Sequence, residues 1–239
     1  MTDAPALPGL EDKAAPDDPH YFGHRERLRE RFLAEPDALP DYEIMELLLS
    51  SVIPRRDVKP LAKALLADYG GFAEVLAQPA HVLEAYKGLS AATAAYLKVV
   101  EHAAQRMLKC KVIDRPVISS WDALLDYCTA AMARRPNEQF RLLFLDRKNR
   151  LIADELQQEG TVDHTPLYPR EVVKRTLELN ASAIIMVHNH PSGDPTPSKA
   201  DIEMTRAVRD VLRPLGITLH DHLVIGRKGH TSFKSIGLL

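Results

Sequence analysis

At 239 residues the chain is longer than one ordinary domain, and with 45% hydrophobic residues it has the material for a two-part protein. A formal net charge of −2 supplies no global attraction to nucleic acid or to an anionic membrane, so any DNA contact has to be local. Cys110 and Cys128 match no metal-ligand spacing and read as reduced thiols, and no apolar run approaches a membrane span; a cytoplasmic protein without a membrane partner is the expectation.

In chain order, residues 1–20 are rich in Ala, Pro and Asp, lack a basic and then apolar leader pattern, and read as a disordered tail. Residues 21–112 are helical in pattern and form the expected first domain. Arg25, Arg27, Arg29 and Arg31 are balanced by Glu26, Glu30 and Glu35, which favours a solvated mixed-charge face over a phosphate-binding patch. Amphipathic helices are predicted over 43–52 and 58–69, separated by Pro54-Arg55-Arg56-Asp57. Gly70-Gly71 breaks the chain before shorter helices at 72–76 and 79–85. Lys87-Gly88-Leu89-Ser90-Ala91-Ala92 then leads into a long helix over 93–108. That junction resembles a helix-hairpin-helix turn, whose glycines let backbone amides approach a DNA phosphate. Ser90 stands in place of the second hairpin glycine, so a structural or protein-docking role and a weak DNA contact remain alternatives.

Asp114-Arg115-Pro116 is the natural boundary, and 116–239 is the expected second domain. Here the pattern alternates: a helix over 121–133, a strand over 140–145, a turn at Asp146-Arg147-Lys148-Asn149 and a strand over 151–156. Pro169 can open a helix running to Asn180. An apolar strand over 183–187, a loop, a helix from Ser198 and strands over 217–219 and 223–225 complete the series. Strands interleaved with helices predict an α/β or α+β sandwich.

Residues 188–201 hold the chemistry. His188 and His190 sit at the carboxyl end of the 183–187 strand, and because strand side chains alternate faces, both point to one side with Asn189 turned away. Pro191, Gly193, Pro195 and Pro197 make the next segment a stiff loop. Ser198 then starts an amphipathic stretch in which Ile202, Thr205, Val208, Val211 and Leu212 recur at helical spacing, and Asp201 falls in its first turn. Two histidines and a carboxylate are the ligand set of a catalytic zinc ion, with a fourth position open for a water whose pKa the metal lowers to about 7. Ser198-x-x-Asp201 is also close to a capping box, and a first-turn carboxylate suits the helix dipole, so both readings of Asp201 stand.

The run His188-x-His190-Pro191 and then Ser198-x-x-Asp201, with ten residues between the second histidine and the aspartate, resembles the signature of JAB1/MPN/Mov34 (JAMM) zinc metallopeptidases. Pro169-Arg170-Glu171, His188-Asn189-His190-Pro191-Ser192-Gly193-Asp194-Pro195 and Asp221-His222-Leu223-Val224-Ile225-Gly226 resemble the RadC family more closely still. The likeness runs from about residue 21 to the C-terminus and is most specific over the last hundred residues. It implies a mixed or antiparallel sheet flanked by helices with zinc at one edge, Zn2+ held by His188, His190 and Asp201, and an oxyanion hydrogen bond from Ser198. It further implies a general-base glutamate at the start of an early strand. Glu138 is the first choice and Glu155 the reserve. His220-Asp221-His222 reads either as a second metal cluster or, preferably, as Asp221 or His222 orienting a zinc ligand through its free ring nitrogen, with a core histidine as the bland alternative. The letters His-Asn-His match HNH nucleases only superficially, because those sites spread their residues through a longer motif. The expected function is zinc-dependent amide hydrolysis of peptidase or isopeptidase type on a peptide or protein substrate. The alternative is a DNA-associated, repair-linked binding protein that uses the helical half and keeps the zinc fold as a scaffold.

Overall fold

A computed structural model describes residues 21–113, 115–160 and 167–239. The stretch 1–20, expected as a disordered tail, and the boundary residue Asp114 lie outside the described residues. The chain divides into two compact units, one reaching Val75 and one starting at Leu76.

The first unit contains α1 (Tyr21–Ala34), α2 (Asp41–Val52) and α3 (Lys59–Tyr69). Leu28, Met45, Leu49, Ala62 and Leu65 are among its buried apolar side chains. Gly70 ends α3 in the left-handed region (φ 94°), which a residue with a Cβ adopts only with strain. The arginines of α1 are partly drawn into the fold: the Arg25 guanidinium donates to the Ile53 carbonyl at 3.1 Å, and Arg31 pairs with Glu43 at 3.1 Å.

The boundary between the units falls inside α4 (Phe72–Ala77), and α5 (Ala80–Ala85) follows. Ser90 caps α6 (Ala91–Cys110) by accepting from the Thr93 amide at 3.3 Å, so this helix starts two residues before the expected position 93. α6 packs on α7 (Trp121–Met132), with Gln105 Nε2 donating to the Ala130 carbonyl at 3.3 Å.

The sheet that follows has β1 (Glu138–Leu145), β2 (Leu151–Gly160), β3 (Ala183–Asn189), β4 (Thr218–Gly226) and β5 (Gly229–Ser232), in the order β2-β1-β3-β4-β5. α8 (Pro169–Glu178) begins at the predicted proline, and α9 (Lys199–Leu212) crosses from β3 to β4. That crossover makes β3 and β4 parallel while every other pair is antiparallel, so the sheet is mixed. β3 is the middle strand, and all seven of its residues are buried. One sheet face packs on α7 through Leu124, Cys128, Ile185 and Val187; the other packs on α8 and α9 through Phe140, Ile184, Val172 and Val208.

One expectation is corrected. The strands expected over 217–219 and 223–225 are one strand, because the intervening polar residues are satisfied within it: His220 Nε2 lies 2.6 Å from Asn149 Oδ1, and the Asp221 carboxylate accepts from the Ser232 hydroxyl at 2.5 Å and the Lys234 amide at 3.0 Å. A register shift beside Ile184/Ile185 accommodates the extra residue. His188 lies at the carboxyl end of the middle strand, with His190 just beyond it.

On the α7 face lies a buried charge cluster. Asp154 on β2 takes a bidentate pair from Arg141 at 2.9 and 3.1 Å, accepts from Lys109 at 3.2 Å and is hydrogen-bonded by the Tyr127 hydroxyl. Burial alone would raise its pKa, but Arg141, Tyr127 and Lys109 together hold it below the ordinary carboxylate value.

Candidate metal centre

His188 and His190 lie at the carboxyl end of β3, and both ring Nε2 atoms meet on one side of the strand, 3.0 Å apart. The loop after them returns Asp201, three residues into the α9 cap, to the same place: Oδ1 lies 3.4 Å from His188 Nε2 and Oδ2 lies 3.5 Å from His190 Nε2. One ligand atom from each of the three residues lies within 4.8 Å of the others. Phe140, opposite His188 on β1, stacks on that ring at 5.7 Å with 6° between the planes, which helps fix the imidazole.

The loop is fastened at both ends. His190 N–H donates to the Ile225 carbonyl at 2.9 Å, Gly193 N–H to the His190 carbonyl at 2.9 Å and Lys228 N–H to the Gly193 carbonyl at 3.2 Å. Gly226 permits this approach, because a Cβ there would lie 2.4 Å from the Gly193 oxygen. At the other end Ser198 and Asp201 form a full capping box: the Ser198 oxygen accepts from the Asp201 amide at 3.1 Å, and Asp201 Oδ2 accepts from the Ser198 amide at 2.7 Å. The two readings of Asp201 are therefore compatible, since Oδ1 is not used by the cap. Ser198 is an exposed residue whose hydroxyl acts in the cap only as an acceptor.

Electrostatics match a cation site. His190 Nδ1–H donates to the Asp194 carbonyl at 2.9 Å, which leaves a lone pair on Nε2. Asp201 as a hydrogen-bond acceptor, then the Asp194 carbonyl and the charges of Asp201 and Glu138, favour the protonated ring and raise the His190 pKa against its partial burial. Burial works against ionising Asp201, but the protonatable imidazoles of His188 and His190, and then the Ser198 amide, outweigh it and hold the carboxyl well below its usual range. Two imidazole nitrogens and a carboxylate converging this closely could hold a metal ion.

Family-model comparison agrees: a model described as RadC-like JAB domain matches residues 118–238. The chain belongs to that family. JAB domains are commonly metal-dependent hydrolase folds, and the His188, His190 and Asp201 group is where this RadC-like JAB domain could hold its ion.

Other predicted residues fall on either side of the site. Glu138 starts β1, two residues before Phe140, and is half-buried beside His190. Its backbone is clamped by Asn189, whose Oδ1 accepts from the Gln139 amide at 2.8 Å and whose Nδ2 donates to the Asn137 carbonyl at 3.1 Å. The asparagine between the histidines therefore has a structural task on the opposite face of β3. Glu155 is elsewhere: on β2, with β1 between it and β3, it is held by Arg175 at 2.6 and 2.8 Å. No second metal cluster forms at His220, Asp221 and His222 among the described residues. Their side chains separate, and His222 alone reaches the site, with Nε2 2.8 Å from His188 Nδ1. Sequence reasoning missed Gly226 as the close-approach residue and Thr205, expected on an apolar stripe, whose hydroxyl lies 2.6 Å from His222 Nδ1.

Proposed function

We propose that this chain is a zinc-dependent hydrolase of metallopeptidase or isopeptidase type, cleaving an amide bond in a peptide or protein substrate with activated water. The observation that carries the reading is the convergence of His188 Nε2, His190 Nε2 and Asp201 at one point, with a second carboxylate, Glu138, close enough to act on the charge of His190. Bound zinc would supply Lewis acidity that brings the pKa of water to about 7. Glu138 would take the water proton and pass it to the leaving amine. The Ser198 hydroxyl, whose proton the cap leaves uncommitted, would donate to the oxyanion as the carbonyl becomes tetrahedral. Asn189 would keep Glu138 in place through the backbone on both sides of it.

No described helix is long and apolar enough to cross a membrane, and Cys110 and Cys128 are both free thiols, which supports a cytoplasmic setting. The DNA-associated alternative draws on the 87–92 hairpin, where Gly88 has a φ of 99° but the Ser90 hydroxyl serves as a helix cap. The test is a peptide and isopeptide screen with zinc-loaded protein. Glu138→Ala is expected to keep the metal and lose hydrolysis, and loss of the zinc instead would mean that Glu138 is not the base.

A further inference from the structure

Behind the metal group three hydrogen bonds close a ring between its strand side and its helix side. Thr205 Oγ1 lies 2.5 Å from the Asp201 carbonyl oxygen and 2.6 Å from His222 Nδ1, and His222 Nε2 lies 2.8 Å from His188 Nδ1. Thr205 and Asp201 are one turn apart on α9, so the residue carrying a metal-binding carboxylate also anchors the far end of the ring.

The direction of every bond follows from the first. A carbonyl oxygen only accepts, and two oxygens 2.5 Å apart require the proton between them, so the single hydroxyl proton of Thr205 is committed to Asp201. Nδ1 of His222 must then carry a hydrogen and donate it to Thr205. A neutral imidazole has one N–H, so Nε2 of His222 is an acceptor and Nδ1 of His188 is the donor. That leaves the lone pair of His188 on Nε2, the atom facing His190 and Asp201. This order holds for a neutral His222: the ring is fully buried, 5.6 and 4.5 Å from the rings of Phe140 and Phe233, and its two nitrogens meet the Thr205 hydroxyl and the His188 ring rather than a carboxylate that would stabilise a buried charge. A charged His222 would donate from both nitrogens and force His188 to protonate the atom meant for the metal.

We propose that Thr205 is a positioning residue which, through neutral His222, holds His188 in its Nδ1–H tautomer and so keeps Nε2 open for the metal. His190 needs no such device, because a backbone carbonyl already fixes its tautomer. The inference rests on the metal reading of the site, but its proton order exists without the metal.

The experiment is long-range 1H–15N correlation spectroscopy on the full metal-free chain with 15N-labelled histidine, paired with zinc affinity from chelator competition. Wild type is expected to show His188 and His222 both neutral and both Nδ1–H. Thr205→Val should disturb that order and weaken zinc about 10- to 100-fold, the range for lost partners of metal-bound histidines, and Thr205→Ser should restore both readouts. The reverse order in wild type, with Thr205 donating to His222 and His188 presenting Nε2–H to Asp201, overturns the proposal whether or not any variant folds. Unchanged tautomers and zinc affinity in Thr205→Val also overturn it and leave Thr205 as an ordinary helix side chain bonded to the preceding turn. Failure of the metal reading has a different signature: both rings keep Nδ1–H while wild type takes up no zinc.

Discussion

The two faces of the sheet each bury a carboxylate, and they treat it in opposite ways. On the α7 face Asp154 receives donors from Arg141, Lys109 and Tyr127, so its charge is compensated by the protein itself. On the α9 face Asp201 faces imidazole nitrogens, one of which presents a lone pair by virtue of the Asp194 carbonyl, and a second carboxylate, Glu138, acts on the same His190. A buried acid is thus no signal of function taken alone. The balance of donors and acceptors around it is: surplus donors make a structural pin, and surplus acceptors make a place for a cation.

Removing the pin should have the largest effect on stability. Asp154→Ala leaves Arg141 without its partner and is expected to cost about 3–5 kcal/mol in denaturant unfolding, while a folded fraction still binds zinc. A cost under 1 kcal/mol would mean that the α7-face cluster is not the structural half of the contrast. The pin also sets a pH dependence. Since the folded-state pKa of Asp154 lies below its unfolded value, its contribution is complete above the ordinary carboxylate pKa of about 3.9 and fades as pH falls through the folded-state value. Unfolding free energies measured from pH 7 down to 3 should therefore fall more steeply in wild type than in Asp154→Asn.

The α9 face should show the reverse pattern, with modest stability effects and large chemical ones. Gly226→Ala puts a methyl against the Gly193 carbonyl and is expected to cost about 1–3 kcal/mol, with weaker zinc binding because the loop that carries Asp194 must move. Unchanged zinc affinity would show that the loop is not held by this contact. Smallest for the fold is Glu138→Gln, expected within about 0.5 kcal/mol of wild type with zinc retained, yet lowering any hydrolysis about 10²- to 10⁴-fold.

The sequence made the acceptor-rich face legible further than its donors. Period two in the strand and a proline-stiffened loop were enough to bring His188, His190 and Asp201 together, because each rule acts over a few residues. The choice between Asp221 and His222 could not be read in the same way, since it depends on the register of β4 against β3 and on the extra residue at position 220. Thr205 was hidden for a different reason: one turn after Asp201, its apolar methyl fits the buried stripe of α9, and its hydroxyl matters only because β4 brings His222 over it. The early start of α6 turned on whether Ser90 served as a cap or as a substitute for a hairpin glycine, which only the backbone around it decides.

Metal content by mass spectrometry is the most direct test of the central claim, using untagged wild type and the His188→Ala/His190→Ala variant, each purified and then offered zinc. About one zinc per chain in wild type, and none in the folded variant, is the predicted result. A wild-type protein that is folded and takes up no zinc, or a variant that keeps it, would contradict the account.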